Sequence, residues 1–247
     1  MESKDLNGFV HAFVLAGGKG KRMSEYTSNI PKPLVCVKEK PLIEYSLDAL
    51  LSVGINSITL VISDSRISQK YKTNYLWTNG TETILYVIHE CLKALNAPYA
   101  LFLDGDSVYA SGILNGFFRR MDWNNMPDMI VGTTENSFSY TYWSFLLEND
   151  RILDVKPQKN KMPHYAIFVK TSSATDVFKR LSRTVDIHRH KMEDHFVRGY
   201  EQYYLGWGLI YKLFLENNYV VKLDRCRHFF ANVNTIQDID RCASHDF

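Results

Sequence analysis

The sequence predicts an α/β fold with a mainly parallel central sheet. Residues 9–15 are apolar on both faces apart from one histidine, which is typical of a central strand of such a sheet. Apolar residues then recur with a helical period in residues 42–51, and residues 55–62 alternate as a strand does. A strand, a helix and a strand of these lengths form a βαβ unit, which requires parallel pairing and a right-handed crossover. The length of 247 residues allows one sizeable core, so we expect a single domain over residues 1–247.

Strands and helices continue to alternate through the rest of the first half. Residues 64–77 are polar and give no clear assignment. A turn follows, after which Thr81 is placed to cap a helix that ends near Leu95. Residues 100–103 are an apolar strand that runs directly into Asp104-Gly105-Asp106. In a parallel sheet this position faces the crevice in which such folds bind their ligands.

The second half contains a hairpin and further strands and helices. Glu148-Asn149-Asp150 marks the hairpin turn. The strands are expected at residues 129–134, 140–147, 151–156, 165–169, 219–223 and 229–235. The helices are expected at residues 114–121, 172–181 and 205–215, with a last helix capped by Thr235.

The composition is that of an ordinary soluble protein, with 45% hydrophobic and 23% charged residues. A formal net charge of +2 argues against a nucleic-acid-binding surface over the whole molecule, so any anion site must be local. No apolar run approaches a membrane span, and residues 1–8 are unlike a signal peptide. The 4 cysteines lack Cys-x-x-Cys spacing and predict neither a disulfide framework nor a zinc site. We therefore expect a cytoplasmic protein that does not bind membranes or nucleic acid.

A glycine-rich turn follows the first strand and indicates a site for a polyphosphate. Gly17, Gly18 and Gly20 would let backbone N–H groups close around an anion without a Cβ in the way. Arg22 and Lys32 would add full charges, the arginine as a fork and the lysine as a point charge. The glycines alone are also compatible with a plain tight turn that binds no ligand. The turn is neither a Walker loop nor the dinucleotide-binding pattern, because the residues that define those motifs are missing.

Pro31-Lys32-Pro33 favours the polyphosphate interpretation over a plain turn. Two prolines fix the backbone on both sides of Lys32 and present its ammonium group with little freedom. Residues 15–23, this segment and Lys40-Pro41-Leu42-Ile43 together resemble the signature of the sugar-1-phosphate nucleotidylyltransferases. That family joins a nucleoside triphosphate to a phosphorylated sugar, or in some branches to phosphocholine, and releases pyrophosphate.

The resemblance implies a Rossmann-like three-layer sandwich with a mixed, mainly parallel central sheet. It assigns residues 9–135 to a nucleotide-binding half and residues 136–247 to an acceptor-binding half with a β-hairpin over the site. It makes Arg22 and Lys32 the candidate catalytic residues, Arg22 on the β- and γ-phosphates and Lys32 at the α-phosphate. The nucleotide-binding residues that it implies are Leu15, Ala16, Gly17, Gly18, Gly20, Lys21, Gly80 and Asp104.

Mg²⁺ is the expected cofactor, because hard oxygen ligands next to a polyphosphate suit this ion. In the family an aspartate that follows a glycine at the end of this strand holds the metal, which assigns Asp106. Small single-domain members carry Asn-Val-Asn-Thr near the C-terminus, so Asn234 is implied as the second ligand. Asn234 is also compatible with a role as a helix cap, and Asp104 with either a second carboxylate ligand or a cap of its loop.

The acceptor end departs from the family pattern. Relatives carry Glu-Lys-Pro after the hairpin, whereas this chain has Val155-Lys156-Pro157, so Lys156 is the implied acceptor-binding residue and the glutamate is missing. Leu205-Gly206-Trp207 stands where relatives have a Thr-Asp pair. The His- and Arg-rich residues 183–202 suit a solvated surface, a partner contact or an acceptor pocket. The expected partners are an NTP, with CTP weakly preferred, and a phosphorylated small acceptor. Formation of a homodimer is a further possibility that the sequence leaves open.

Two other functions are compatible with parts of the sequence. Asp104-Gly105-Asp106 is also an Asp-x-Asp, the motif by which many nucleotide-sugar-dependent glycosyltransferases bind a metal diphosphate. Such enzymes have no need of the glycine loop or of Pro31-Lys32-Pro33. A non-catalytic nucleotide-binding regulatory protein would fit the altered acceptor end, but the intact Arg22 argues against it.

Overall fold

A computed structural model of the protein describes residues 6–18, 20–23, 27, 29–138, 141–160, 163–184 and 206–246. Most of the His- and Arg-rich stretch, from residue 185 onward, and Leu205 lie outside the described residues. The α-helices include α1 (Leu42–Ser52), α2 (Ser65–Lys70), α3 (Ile84–Lys93), α4 (Ile113–Arg119), α5 (Thr171–Thr184), α6 (Trp207–Glu216) and α7 (Ile236–Ser244). Short 3-10 turns lie at Lys21–Met23 and Lys32–Leu34.

A sheet of 9 strands forms the centre of the molecule, in the order β5-β4-β1-β6-β11-β8-β12-β10-β9. Its strands are β1 (Val10–Ala16), β4 (Ile58–Ile62), β5 (Asn74–Trp77), β6 (Tyr99–Asp104), β8 (Met129–Thr134), β9 (Thr141–Glu148), β10 (Arg151–Asn160), β11 (His164–Lys170) and β12 (Val221–Cys226). The pairings β5–β4, β4–β1, β1–β6 and β8–β12 are parallel. Antiparallel β11 lies between β6 and β8, and β12, β10 and β9 pair antiparallel. The predicted mixed, mainly parallel sheet is confirmed.

Helices cover both faces of the sheet, which makes the predicted three layers. Side chains alternate along each strand, so neighbouring residues enter different cores. Val14 belongs to the core under α1 and α4, whereas Phe13 belongs to the core under α3, α5 and α6. Strand β6 divides in the same way, with Leu101 on the first face and Phe102 on the second. Because both faces are buried, these strands are apolar throughout, as the sequence of residues 9–15 indicates.

Capping side chains set the helix starts, and they explain two differences from the sequence prediction. Helix α3 starts at Ile84 because Thr83 Oγ1 accepts a hydrogen bond from the backbone N–H of Tyr86, so Thr83 and not Thr81 is the cap. Residues 64–77 contain both α2 and β5, and Asp64 caps α2 through the backbone N–H of Arg66. The expected cap at Thr235 is confirmed, in a reciprocal capping box with Asp238.

Two small sheets lie beside the central one, and one of them brings the C-terminal segment to the carboxyl end of β6. Strands β2 (Cys36–Val37) and β3 (Lys40–Pro41) form a short hairpin before α1. Strands β7 (Ser107–Tyr109) and β13 (Phe230–Asn232) pair antiparallel, with Asn232 opposite Ser107. The backbone N–H of Val233 also donates to the carbonyl of Asp106, at 3.1 Å. Residues near the C-terminus therefore lie against the loop that carries Asp106.

The described part of the chain shows neither a membrane-spanning helix nor a disulfide. Among the helices of the described residues, none combines the length and the apolar character that a membrane span needs. All 4 cysteines are free thiols, as the sequence predicts.

Candidate functional site

A cavity of about 630 Å³ lies at the carboxyl ends of β1, β4 and β6. Its walls are formed in part by the end of β1, the loop after β5, the loop after β6 and the segment before α7. Of the residues predicted from the sequence, it is lined by Leu15, Gly17, Gly18, Arg22, Gly80, Asp104, Asp106 and Asn234. The structure thus brings together in one cavity residues that are far apart in the chain.

The glycine-rich turn forms the wall of the cavity at the end of β1. A Cβ on Gly17 would lie 2.6 Å from Thr78 Oγ1, so only glycine lets the turn pack against the loop after β5. Gly18 has open space where a Cβ would be, and it lines the cavity. Gly20 has φ of 60°, a conformation that favours glycine, and it accepts a hydrogen bond from the Met23 N–H at 2.8 Å.

Basic residues lie beside this turn in different environments. The Arg22 side chain is exposed and lines the cavity. Lys21 belongs to the 3-10 turn, and its side chain lies outside the described part. Arg241 of α7 was missed in the sequence, although it also lines the cavity, because a single arginine in the last helix carries no local signal. The cavity therefore offers two described guanidinium groups to an anion, Arg22 and Arg241.

Lys32 is the buried cation of the site. Its side chain is only 7% exposed, in a 3-10 turn that follows Pro31. The Nζ group donates to Asp106 Oδ2 at 2.5 Å and to Asn234 Oδ1 at 3.3 Å. A Cβ on Gly20 would be 3.1 Å from the Lys32 Cβ, so the glycine turn and the lysine pack closely. The prolines and this packing fix Lys32 between the two predicted metal ligands.

The two carboxylates at the end of β6, Asp104 and Asp106, lie close together because Gly105 permits a tight turn. A Cβ on Gly105 would be 3.0 Å from the Ala16 Cβ and 3.2 Å from the Leu15 carbonyl oxygen. Asn232 Nδ2 reaches Asp104 Oδ2 at 3.4 Å and Asp106 Oδ1 at 3.3 Å. Burial, and then the nearby charge of Asp106, raise the pKa of Asp104 to about 7, against the lowering effects of Lys32 and Asn232.

This donor set fits Mg²⁺. Asp104, Asp106 and Asn234 place carboxylate and amide oxygens at one end of the cavity, and Mg²⁺ prefers such hard ligands. The raised pKa of Asp104 reflects its own burial and the nearby negative charge of Asp106, and a divalent cation would relieve the repulsion between the two carboxylates. Within the described residues, no three His, Cys, Asp or Glu side chains come together as a metal site. The ion would therefore need phosphate oxygens or water to complete its shell.

The segment before α7 holds Asn234 in place. Asp238 Oδ2 accepts hydrogen bonds from the backbone N–H groups of Asn234 at 2.9 Å and Thr235 at 2.8 Å. Thr235, and not Asn234, is the helix cap. The Asn234 amide oxygen accepts its hydrogen bond from Lys32, so this side chain points to the site rather than to the helix.

The loop between β5 and α3 forms a second end of the cavity. Gly80 has φ of 73° and lines the cavity together with Glu82, which is only 8% exposed. Both carboxylate oxygens of Glu82 accept from the backbone N–H of Asn79, at 2.9 and 3.0 Å, and Thr81 N–H lies 3.3 Å from Oε2. Sequence reasoning missed Glu82, because one acidic residue before a helix is usually a helix-end charge.

Aromatic side chains from three elements form the third end. Trp143 of β9, His164 of β11 and Trp207 of α6 line the cavity. The His164 and Trp207 ring centroids are 6.1 Å apart at 73°. A Cβ on Gly208 would lie 2.3 Å from the Trp143 ring, so glycine lets that ring rest on the start of α6. Burial lowers the pKa of His164 to about 4, which makes this ring a neutral, weakly polar surface.

The hairpin positions Lys156, the predicted acceptor residue, and Val155, which replaces the family's glutamate, differently. Val155 is fully buried and pairs with Phe145, whereas Lys156 is 72% exposed and outside the cavity lining. Successive residues of a strand point to opposite faces, so both cannot face the site from one register. The acceptor role of Lys156 stays a prediction that this geometry does not support.

Comparisons with known proteins give relatives that share part of the chain. Choline-phosphate cytidylyltransferase of Streptococcus pneumoniae is 47% identical over 118 residues, which are 47% of this chain and 49% of the relative. A probable glucose-1-phosphate cytidylyltransferase of Bacillus subtilis is 34% identical over 74 residues, 30% of this chain and 29% of the relative. The matched segments thus span about half, or less, of these relatives' own lengths.

Solved structures match over almost the whole chain. An inositol-1-phosphate CTP transferase from T. maritima has a TM-score of 0.71 at 12% identity, covering 97% of this chain and 98% of that one. A CTP:phosphocholine cytidylyltransferase from Streptococcus pneumoniae has a TM-score of 0.66 at 17% identity, covering 95% and 98%. At such identities the likeness shows the fold, and it confirms the predicted Rossmann-like nucleotidyltransferase fold.

A known protein family matches most of the chain. The match covers residues 12–188, which include the glycine-rich turn, Lys32 and both carboxylates at the end of β6. The resemblance to nucleotidylyltransferases seen in the sequence is thereby confirmed, and the glycosyltransferase alternative is not favoured. The chain belongs to the family of the MobA-like NTP transferase domain.

Proposed function

We propose that this protein is a Mg²⁺-dependent cytidylyltransferase that joins CTP to a phosphorylated small acceptor and releases pyrophosphate. The observation that carries the proposal is the buried Lys32, fixed between Asp106 and Asn234 at the edge of the cavity. A positively charged group surrounded by metal-type oxygen ligands suits a polyphosphate and its metal ion. CTP is supported by the relatives and structural neighbours, several of which are named as CTP-dependent enzymes.

The reaction needs alignment and charge neutralisation rather than a protein nucleophile. An oxygen of the acceptor phosphate forms a bond to the α-phosphorus while the bond between that phosphorus and the β-phosphate oxygen breaks. The electron pair leaves with pyrophosphate, and the cytidylyl group stays on the acceptor as a diphosphate. Both reactants are anions, so their repulsion is the main obstacle.

Each residue near the donor phosphates has a specific part in this proposal. Arg22 and the backbone N–H groups of the glycine turn bind the β- and γ-phosphates. Lys32 stabilises the charge that develops on the α-phosphate oxygens. Asp106 and Asn234 would hold Mg²⁺ with Asp104 beside them, and the ion would supply further charge neutralisation. Residues 9–135 would thus bind the nucleotide and residues 136–247 the acceptor, within one domain.

The aromatic end of the cavity favours a particular acceptor. A sugar needs polar partners for its hydroxyl groups, whereas Trp143, Trp207 and the neutral His164 offer aromatic faces. Aromatic faces attract quaternary ammonium groups by about 0.5–2 kcal/mol each. Phosphocholine therefore suits this end better than a sugar-1-phosphate does. The partial similarity to a choline-phosphate cytidylyltransferase supports the same choice.

A substrate panel tests this function. Pyrophosphate release would be measured with CTP, UTP, GTP and dTTP, each with phosphocholine, glucose-1-phosphate or a phosphonate, with and without Mg²⁺. We expect the highest rate with CTP, phosphocholine and Mg²⁺, and little release without an acceptor. Absence of acceptor-dependent pyrophosphate release from every pair would refute the proposal. A preference for glucose-1-phosphate would refute the choice of acceptor only.

A further inference from the structure

We infer that Glu82 selects the base of the nucleotide: its carboxylate favours a base with an exocyclic amino group and disfavours uracil and thymine. The inference rests on the proposed function, because it requires that an NTP occupies the cavity. It goes beyond that function, since it assigns base discrimination to one side chain. No role for this residue follows from the sequence, in which it is a single acidic residue before a helix.

The distribution of chemistry along the cavity determines where the base lies. The phosphates belong beside the glycine turn and Lys32, at the end that holds Asp106 and Asn234. Of the two ends that remain, one is aromatic and the other is the loop of residues 78–83. A nucleobase edge carries donors and acceptors, so it needs the polar end. Gly80 at this end has no side chain to block the approach of a planar ring.

The Glu82 carboxylate is held rigidly at that end. The backbone N–H of Asn79 contacts both oxygens, at 2.9 and 3.0 Å, and Thr81 N–H lies 3.3 Å from Oε2. Thr83, the next residue, caps α3 and fixes the chain at the helix start. Glu82 is 8% exposed, and it is among the residues that line the cavity. A charged group in such a fixed position cannot turn away from a mismatched base.

The sign of the charge gives the specificity. A glutamate carboxylate accepts hydrogen bonds and donates none. Cytosine presents an N4 amino group, a donor, where uracil and thymine present the O4 acceptor. The carboxylate therefore attracts cytosine and repels uracil at the same edge. A good polar contact of this kind discriminates bases by about 5–150-fold, the equivalent of 1–3 kcal/mol.

The test compares nucleotide binding by the full chain and by Glu82→Gln. Glutamine keeps an oxygen for the Asn79 N–H, so the loop keeps its main contact. It also has an NH₂ group that can donate to O4 of uracil. Dissociation constants for CTP and UTP would be measured by calorimetry with Mg²⁺, without acceptor. We expect the wild-type preference for CTP to fall about tenfold or more in Glu82→Gln, mainly through tighter UTP binding.

Two further measurements keep the test independent of folding effects. The control Glu90→Gln removes the same charge from α3, where Glu90 pairs with Lys93 at the surface, and it should leave the CTP/UTP ratio unchanged. The triphosphate of pyrimidin-2-one riboside, which lacks the amino group, should bind wild-type protein about tenfold or more weakly than CTP.

The outcomes separate the inference from the proposed function. Equal binding of CTP and UTP by wild-type protein, or an unchanged ratio in a folded Glu82→Gln variant, would overturn the inference while leaving the transferase in place. Absence of binding of any triphosphate would overturn the proposed function itself, and the role of Glu82 with it.

Discussion

Substitution of Lys32 by methionine removes a charge that joins the glycine turn to the metal-type ligands. Methionine has a similar length and fills the same buried space without a charge. In the wild type, Nζ lies 2.5 Å from Asp106 Oδ2 and 3.3 Å from Asn234 Oδ1. The variant therefore leaves Asp104 and Asp106 close together without their cation. The pKa of Asp104, already raised to about 7, should rise further.

The size of the stability effect follows from the distance and the burial. Two unit charges 2.5 Å apart attract by about 7 kcal/mol at an effective dielectric constant of about 20. Desolvation of the buried lysine offsets most of this attraction, and the Asp106 side chain is 27% exposed. We expect a net loss of about 1–3 kcal/mol in the free energy of unfolding. Thermal and urea unfolding of the two proteins would measure it.

The effect on turnover should be much larger than the effect on stability. Loss of one preorganised group that stabilises developing charge lowers kcat by about 10²–10³-fold, and a full charge should act at the upper end or beyond. Pyrophosphate release with CTP and the acceptor would be measured on the folded variant. The control Lys93→Met removes a lysine that is 58% exposed, and it should change neither property. Near-normal turnover of a folded Lys32→Met variant would refute the role of Lys32.

Three further predictions concern the glycines and the histidine that shape the cavity. Gly17→Ala places a Cβ 2.6 Å from Thr78 Oγ1, so the variant should bind CTP about tenfold or more weakly, as measured by calorimetry. The second substitution Thr78→Ala should restore binding. Failure to restore it would refute the close contact between residue 17 and Thr78 as the cause. Gly208→Ala places a Cβ 2.3 Å from the Trp143 ring, so the KM for phosphocholine should rise while the KM for CTP stays unchanged in initial-rate assays; an equal rise in both would contradict a separate acceptor end. The pKa of His164 is lowered to about 4 in the folded protein, so the unfolded chain binds more protons between about pH 4 and 6.5. The free energy of unfolding should therefore rise with pH in this window, by about 1–3 kcal/mol. In urea unfolding at acidic and neutral pH, His164→Asn should lose that part of the pH dependence of stability. An unchanged dependence of the free energy of unfolding on pH would refute the role of His164.

The end of the cavity beside the glycine turn could be predicted from the sequence because its determinants act locally. Glycine conformations and Pro31-Lys32-Pro33 constrain the backbone within a few residues, and their effect needs no tertiary contact. Asn234 was implied as a site residue only by the family resemblance, and the structure places it against Lys32, 202 residues away in the chain. It depends on the pairing of β7 with β13, two strands of three residues that no periodicity reveals.

The aromatic end of the cavity and the end proposed for the base could be recognised only from the structure. Trp143, His164 and Trp207 come from three distant elements, and each alone suits an ordinary core. The burial that holds His164 neutral is a tertiary property that its neighbours in the sequence do not encode. Glu82 became visible as a site residue because the loop amides hold its carboxylate at the cavity, an arrangement that depends on where α3 begins.

Direct transfer of a cytidylyl group is tested most directly by ³¹P NMR of the reaction mixture. The protein would be incubated with CTP, phosphocholine and Mg²⁺, with Lys32→Met as the inactive control. Equal amounts of pyrophosphate and of a new diphosphate that links cytidine to choline should accumulate with the wild type only. Formation of inorganic phosphate and CDP, or CTP and phosphocholine left unchanged by folded wild-type protein, would contradict the transfer.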